Sequence, residues 1–302
     1  MSRDARIGRR ALLAGLGASL ASGTARARSG FETVELRLEP ARNLPRRCSL
    51  VLPLAAASEA SLPLLVLLHG LGETKDEGAG IRAWLGPYGL ARAWERLEAP
   101  PLAREKEPYW SEAELSELNG SLAVSPFRKM VVACPFMPNP SASPGGIARY
   151  ARWVETVLLP AIRERAPSAR RDARGAGICG VSLGGYVSLE VFLQKPELFA
   201  TAGSVQGAFS SERAVGYAAR LAKVASERPL TVFVSSSSAD PYRRANERLH
   251  RELTARAVPA RLSIRRGPHS QGWLREVGSV ETLLWHDRAL RGSPELGEVR
   301  AP

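Results

Sequence analysis

The stretch Gly177-Ile178-Cys179-Gly180-Val181-Ser182-Leu183-Gly184-Gly185 decides how the rest of the chain is interpreted. The apolar residues before Gly180 predict a β-strand, and the following run, Tyr186–Leu193, predicts a helix. A serine on a sharp strand-to-helix turn projects its Oγ out of the sheet, and glycines are needed beside it because a Cβ there would clash with neighbouring segments. Ser182 is therefore a candidate nucleophile. A G-x-S-x-G pattern also arises by chance, so its partners must be sought elsewhere in the chain.

Length and composition predict one large globular α/β domain over residues 28–302. The chain has 302 residues, is 44% hydrophobic and shows no low-complexity tract or fixed-period repeat. Its net charge of +12 comes from scattered arginines without interleaved aromatics. This pattern favours a solvated basic surface, so no nucleic-acid partner is expected. Weak attraction to anionic lipid or acidic polysaccharide is the alternative.

The three cysteines, Cys48, Cys134 and Cys179, do not have the spacing of metal ligands. Cys134 and Cys179 fall in predicted buried strands, so they are expected to be small core residues. A disulfide involving Cys48 is left open.

The first 27 residues have the layout of a bacterial export signal. Arg9-Arg10 precede an apolar run, Ala11–Leu20, and Ala25-Arg26-Ala27 has the small-x-small pattern of a cleavage site. The paired arginines and the weakly hydrophobic core resemble the twin-arginine type. The run is too short for a stable membrane anchor, so a periplasmic or extracellular protein is expected. The alternative is the frayed N-terminus of a cytoplasmic protein.

Strands and helices are predicted to alternate along the rest of the chain. The run Phe31–Leu38 alternates apolar and polar residues like an edge strand, and Arg47–Leu54 is its expected antiparallel partner. Leu62–Leu68 is continuously apolar, as in a strand covered on both faces by helices. Further strands are predicted at 129–135, 177–179, 200–205, 230–234 and 260–264. The alternation predicts a mostly parallel sheet with helices on both faces.

Two segments between these strands stand apart. Residues from about 80 to 97 predict a helix interrupted at Gly86-Pro87. Residues 99–126 form a longer, polar, proline-bearing insertion than an ordinary connection. A lid, a wall of a binding site and a simple surface excursion are all compatible with this insertion.

An acid and a base follow two late strands of the predicted sheet. Sites in such sheets gather at the carboxyl ends of strands. In the second half of the chain, Asp240 comes just after the strand at 230–234, and His269 just after the strand at 260–264. His250 and His286 fall within predicted helices, as surface or packing residues. We therefore expect Asp240 and His269 to lie near Ser182.

These motifs together resemble the α/β-hydrolases, in their serine esterase branch, which includes esterase D-like S-formylglutathione hydrolases, feruloyl esterases and mycolyltransferase-like proteins. The strings that carry the resemblance are Leu68-His69-Gly70-Leu71-Gly72, Gly180–Gly185, the Asp240 turn and Gly267-Pro268-His269. The chain order of serine, acid and histidine is also the order in this superfamily.

The resemblance implies a mechanism. His269 would take the proton of the Ser182 hydroxyl, and Asp240 would fix the imidazole tautomer. The amides of Leu71 (or Gly70) and Leu183 would form the oxyanion hole, with no metal or organic cofactor. His69 would orient the backbone of the oxyanion loop.

The expected function is cleavage of carboxylic esters through an acyl-enzyme, on a small-molecule or polysaccharide-linked substrate. Two alternatives remain open: acyl transfer by the same machinery, and a catalytically silent hydrolase fold that binds envelope or glycan. The acyl and alcohol parts of the substrate and the oligomeric state are not indicated by the sequence.

Overall fold

An eight-stranded sheet forms the centre of the molecule. The computed structural model describes residues 30–39, 44–54, 61–105 and 109–292. The predicted export signal, residues 1–27, lies outside these ranges. The strands are β1 (Phe31–Arg37), β2 (Arg47–Pro53), β3 (Leu64–Leu68), β4 (Val131–Pro135), β5 (Ala176–Gly180), β6 (Thr201–Val205), β7 (Thr231–Ala239) and β8 (Ala260–Pro268).

The strand order across the sheet is β1-β2-β4-β3-β5-β6-β7-β8. The hairpin of β1 and β2 is antiparallel, and β2 pairs antiparallel with β4. Every later pair is parallel, so the carboxyl ends of β3 and β5 to β8 meet at one edge. The predicted mostly parallel sheet is confirmed.

Helices cover both faces of this sheet. They are α1 (Glu77–Arg82), α2 (Leu90–Glu98), α3 (Glu112–Val124), α4 (Gly146–Trp153), α5 (Leu159–Arg165), α6 (Leu183–Gln194), α7 (Ser211–Glu227), α8 (Arg243–Thr254), α9 (Gln271–Trp273) and α10 (Ser279–Leu290). Single π-helical turns, Val154–Leu158 and Leu274–Gly278, join α4 to α5 and α9 to α10.

The alternation of side chains along β3 shows how the two layers arise. Leu64, Val66 and Leu68 pack into one core with α4 to α8, whereas Leu65 and Leu67 pack into the other with α2, α3 and α10. All five residues are fully buried. A strand that faces a helical layer on each side has no polar face, which explains its continuous apolar sequence.

The insertion at 99–126 is packed onto the second layer. Its helix α3 begins with a capping box, in which Ser111 and Glu114 bond each other's backbone N–H groups. Leu115 and Leu122 of this helix are buried. Trp110 Nε1 donates to the Glu276 carbonyl at 3.0 Å, which ties the insertion to the π-helical turn before α10.

An arginine joins the insertion to the last strand. Arg265 of β8 places its Nη1 2.8 Å from Glu114 Oε1 of α3 and its Nε 2.8 Å from Glu281 Oε1 of α10. Its guanidinium also lies over the Trp110 ring, 5.2 Å from the ring centroid. Because the Arg265 side chain is largely buried, these contacts are shielded from solvent. They hold α3 against β8, the edge strand that ends just before His269.

Other predictions differ from the structure in detail. The interruption expected at Gly86-Pro87 is present but wider: α1 ends at Arg82 and α2 begins at Leu90, after Gly89, whose φ of +76° lies in the left-handed region. Strand β8 extends four residues beyond its predicted end, to Pro268. The three cysteines are free and buried.

Candidate active site

The Ser182 turn joins β5 to α6 with strained backbone geometry. Ser182 has φ 56° and ψ −117°, a combination that a residue with a side chain rarely adopts. Its N–H donates to the Val205 carbonyl at 2.9 Å, and its own carbonyl accepts from Ala208 N–H at 3.0 Å. These bonds anchor the strained residue to the end of β6 and the loop that follows it. Such strain costs about 1–3 kcal/mol and is typical of functional positions.

The glycines around Ser182 are required by close backbone contacts. A Cβ on Gly180 would overlap the carbonyl of Gly184, and a Cβ on Gly184 would overlap the carbonyl of Leu68 at the end of β3. The helix can therefore start directly against the sheet only if both positions lack side chains. Ser182 is part-exposed, and its Oγ makes no hydrogen bond with any residue that the structure describes.

Asp240 and His269 meet at the same edge of the sheet. Asp240 follows β7 and His269 follows β8, and the two strands are neighbours. His269 Nδ1 lies 2.9 Å from Asp240 Oδ1. Since a carboxylate can only accept, the proton lies on Nδ1, which leaves Nε2 as a proton acceptor. The Asp240 side chain is fully buried, whereas that of His269 is 27% exposed.

The Asp240 carboxylate is fixed by further donors. Tyr242 N–H donates to its Oδ1 at 3.0 Å, and Ser236 Oγ donates to its Oδ2. Both oxygens of the buried carboxylate are thus occupied in a single orientation, which in turn orients the imidazole of His269.

A second set of hydrogen bonds holds the backbone just before His269. The carbonyl of Pro268 accepts from Gln206 Nε2 and from Ser237 Oγ, both at 3.0 Å. Gln206 is fully buried and follows β6 directly, with φ +48°. It is adjacent to Val205, whose carbonyl binds Ser182 N–H, so a short bonded path joins the backbones of Ser182 and His269.

Gln206 was not singled out from the sequence. The available signal was a lone polar residue between two apolar segments at a strand end, in Ser204-Val205-Gln206-Gly207. Its contact with Pro268 spans 62 residues, and sequence spacing does not reveal such a contact.

The loop after β3, which the sequence predicts to form an oxyanion hole, is held by hydrogen bonds of the His69 ring. His69 Nε2 accepts from Met137 N–H at 2.9 Å, so its Nδ1–H donates to the Gly70 carbonyl, also at 2.9 Å. Burial lowers the pKa of His69 and keeps the ring neutral. The Gly70 carbonyl and the Leu71 N–H belong to one planar peptide, so His69 fixes the direction of that N–H.

Of the three backbone amides considered for an oxyanion hole, only that of Gly70 already has a hydrogen-bond acceptor. Gly70 N–H already donates to the hydroxyl of Tyr88 at 3.1 Å. Within the described residues, neither Leu71 N–H nor Leu183 N–H has a protein acceptor. Leu183 is the first residue of α6, so its N–H is one of the unbonded donors at a helix start. Leu71 and Leu183 are thus the amides still able to bind an oxygen.

Two apolar side chains, Leu71 and Tyr242, lie exposed near the site. Leu71 is 59% exposed, and Tyr242 is 37% exposed with its ring centroid 5.8 Å from that of His269. Tyr109 of the insertion lies against Gly267, two residues before His269. The insertion therefore supports one wall of the site.

No helix in the described ranges is both long and apolar enough to span a bilayer. No group of three or more His, Cys, Asp or Glu side chains in those ranges could hold a metal ion.

Comparison with known proteins identifies the relatives of this chain. Residues 132–275 match the family model described as "Putative esterase". No curated protein matches the chain.

Several solved structures with the same fold are esterases or hydrolases by name. A ferulic acid esterase has a TM-score of 0.61 at 15% identity, with 86% of this chain and 98% of that chain covered. An S-formylglutathione hydrolase from Staphylococcus aureus has a TM-score of 0.58 at 13% identity, with 85% and 99% covered. A ferric enterobactin esterase from Salmonella typhimurium has a TM-score of 0.53 at 18% identity, with 88% and 59% covered. The chain therefore has the fold of these hydrolases, and residues 132–275 are similar to the esterase family.

Proposed function

We propose that this chain is a serine hydrolase that cleaves carboxylic esters through an acyl-enzyme formed on Ser182. His269 acts as the base, Asp240 orients it, and the amides of Leu71 and Leu183 bind the oxyanion. The observation that carries the proposal is the 2.9 Å contact between His269 Nδ1 and buried Asp240, at the strand edge that also bears the strained serine. Catalytic hydrogen bonds are often long before substrate binds, so the unbonded Ser182 Oγ is compatible with this role.

The first half-reaction forms the acyl-enzyme. Ser182 Oγ attacks the ester carbonyl carbon as His269 Nε2 takes the hydroxyl proton. The oxygen that becomes negative accepts hydrogen bonds from the Leu71 and Leu183 amides, each worth about 3 kcal/mol in comparable sites. The carbon–oxygen bond to the alcohol then breaks, and the imidazolium of His269 gives its proton to the departing alcohol oxygen.

The second half-reaction releases the acid. Water attacks the acyl carbon while His269 Nε2 takes a proton from it, and the same amides bind the new oxyanion. Collapse of this intermediate returns the proton to Ser182 Oγ and frees the carboxylic acid. Throughout, Asp240 stabilises the charged imidazole and stays ionised itself.

Replacing Ser182 by alanine tests this assignment. Because Ser182→Ala removes the attacking oxygen, kcat/KM for 4-nitrophenyl butyrate should fall by about 10⁴-fold or more, and labelling by a fluorophosphonate should be lost. Ser226→Ala, on the exposed surface of α7, is the matched control and should behave as the wild type. Equal labelling of Ser182→Ala and wild type would contradict the proposal.

We also propose that residues 1–27 direct export by the twin-arginine route. The support is the sequence pattern alone: Arg9-Arg10, the short apolar run after them, and the cleavage pattern that ends at Ala27. The mature enzyme would then act on esters outside the cytoplasm, such as polysaccharide-linked ones.

A further inference from the structure

A carboxylate lies beside the Ser182 turn and takes no part in the proposed mechanism. Glu73 ends the short 3₁₀ turn Leu71–Glu73 that follows the oxyanion loop. A Cβ placed on Gly70 would be 3.7 Å from Glu73 Oε2 and 3.8 Å from Ser182 Cβ. The carboxylate and the Ser182 side chain therefore both lie next to Gly70, and Oε2 is at most about 7.5 Å from Ser182 Cβ.

Tyr88 holds this carboxylate in place. Its hydroxyl donates to Glu73 Oε2 at 2.6 Å and accepts from Gly70 N–H at 3.1 Å. The Tyr88 ring is buried, and burial raises the pKa of its hydroxyl, so the donor proton is retained. Glu73 is thus positioned against the oxyanion loop by a rigid aromatic side chain from the segment between α1 and α2.

The other oxygen of this carboxylate is available. Within the described residues, Glu73 Oε1 accepts no hydrogen bond, and no lysine or arginine pairs with Glu73. The Asp240 carboxylate, by contrast, is bonded to His269. Within the described residues, Glu73 therefore contributes a negative charge without a paired cation near Ser182.

We infer that Glu73 determines specificity by charge, so that the site favours esters with a positive group near the scissile carbonyl and disfavours those with a carboxylate there. The inference rests on the proposed function. A substrate charge held near Ser182, roughly 7–8 Å from the Glu73 carboxylate in the intermediate dielectric of a part-exposed site, changes the rate by about tenfold. A group on either the acyl or the alcohol side could meet Glu73, so both sides need testing.

The experiment compares charged esters of similar size. On the acyl side, the probes are 4-nitrophenyl 4-(trimethylammonio)butyrate, 4-nitrophenyl butyrate and mono-4-nitrophenyl succinate. On the alcohol side, they are butyrylthiocholine and the S-butyryl derivative of 3-mercaptopropionate. The quantity measured is the ratio of kcat/KM for the cationic ester to kcat/KM for the anionic one, at low and high salt.

Three variants separate charge from structure. Glu73→Gln removes the charge and keeps an acceptor for Tyr88, so the cation-to-anion ratio should fall about tenfold in at least one series. Glu73→Asp keeps the charge and should keep most of the preference. Glu227→Gln makes the same change in net charge at the exposed end of α7. This residue precedes β7 and so lies near the amino ends of the strands, away from the site, and its replacement should leave the ratio unchanged.

The outcomes distinguish this inference from the proposed function. A Glu73→Gln ratio within twofold of the wild-type ratio in both series would overturn the role of Glu73. If the wild type still hydrolyses 4-nitrophenyl butyrate and Ser182→Ala does not, the proposed function survives that result. If the wild type cleaves none of the esters, both fail together.

Discussion

Acidification should weaken the fold through one buried histidine. His286 of α10 is fully buried, with Nδ1 3.0 Å from Thr201 Oγ1 and its ring against Trp285. Burial lowers its pKa from 6.5 to about 3. In the unfolded chain the imidazole binds a proton near pH 6.5, whereas in the folded chain it binds one only near pH 3. The stabilising contribution is therefore complete above pH 6.5 and is lost as the pH falls toward 3.

The size of the effect follows from the interval between the two pKa values. Each pH unit within it costs about 1.4 kcal/mol, so the step from pH 6.5 to pH 4.5 costs about 3 kcal/mol of unfolding free energy. A typical domain has only about 5–15 kcal/mol in total. His286→Gln removes the titrating group, so the variant should lose about 3 kcal/mol less than the wild type over the same step.

Urea unfolding at pH 7 and pH 4.5 measures this difference. All six tryptophans are buried, so their fluorescence reports the transition. His250→Gln, in the part-exposed surface of α8, is the control and should follow the wild type. Equal losses of stability in wild type and His286→Gln would refute the reasoning. NMR titration of the wild type gives a second check, since the His286 ring should not titrate between pH 8 and pH 5.

Two further predictions concern His269 and export. Gln206→Leu removes one of the two donors to the Pro268 carbonyl, so kcat should fall about fivefold with little change in KM and an altered pH profile. Steady-state kinetics across pH would measure these changes in kcat, KM and pH profile. An unchanged kcat would contradict a role of Gln206 in positioning His269. Replacing Arg9 and Arg10 together by lysine should stop export of the full chain in a bacterium with twin-arginine machinery, while the exported wild type should begin at Arg28 on N-terminal sequencing. Undiminished export of the lysine variant would contradict the signal assignment.

The sequence was most informative where local pattern and topology point the same way. The run Leu62–Leu68 has no polar face, and this alone predicted a strand between two helical layers. Asp240 and His269 could be expected to meet because each follows a strand and parallel strands end at a common edge.

Other features could not be predicted because they depend on side-chain contacts between distant segments. The role of Gln206 depends on the register of β6, β7 and β8, and that of Glu73 depends on how Tyr88 packs beneath the oxyanion loop. The docking of the insertion depends on Arg265, which contacts Glu114 across 151 residues. No periodicity within a single element carries such information.

The positive φ of Ser182 lowers the stability of the fold at a residue whose side chain the proposed mechanism needs. A glycine there would adopt the same turn without the penalty that a side chain incurs, yet it would lack the hydroxyl that the proposed mechanism uses. The protein thus has a residue with a strained backbone at this turn. The hydrogen bonds of its backbone to Val205 and Ala208 offset the strain.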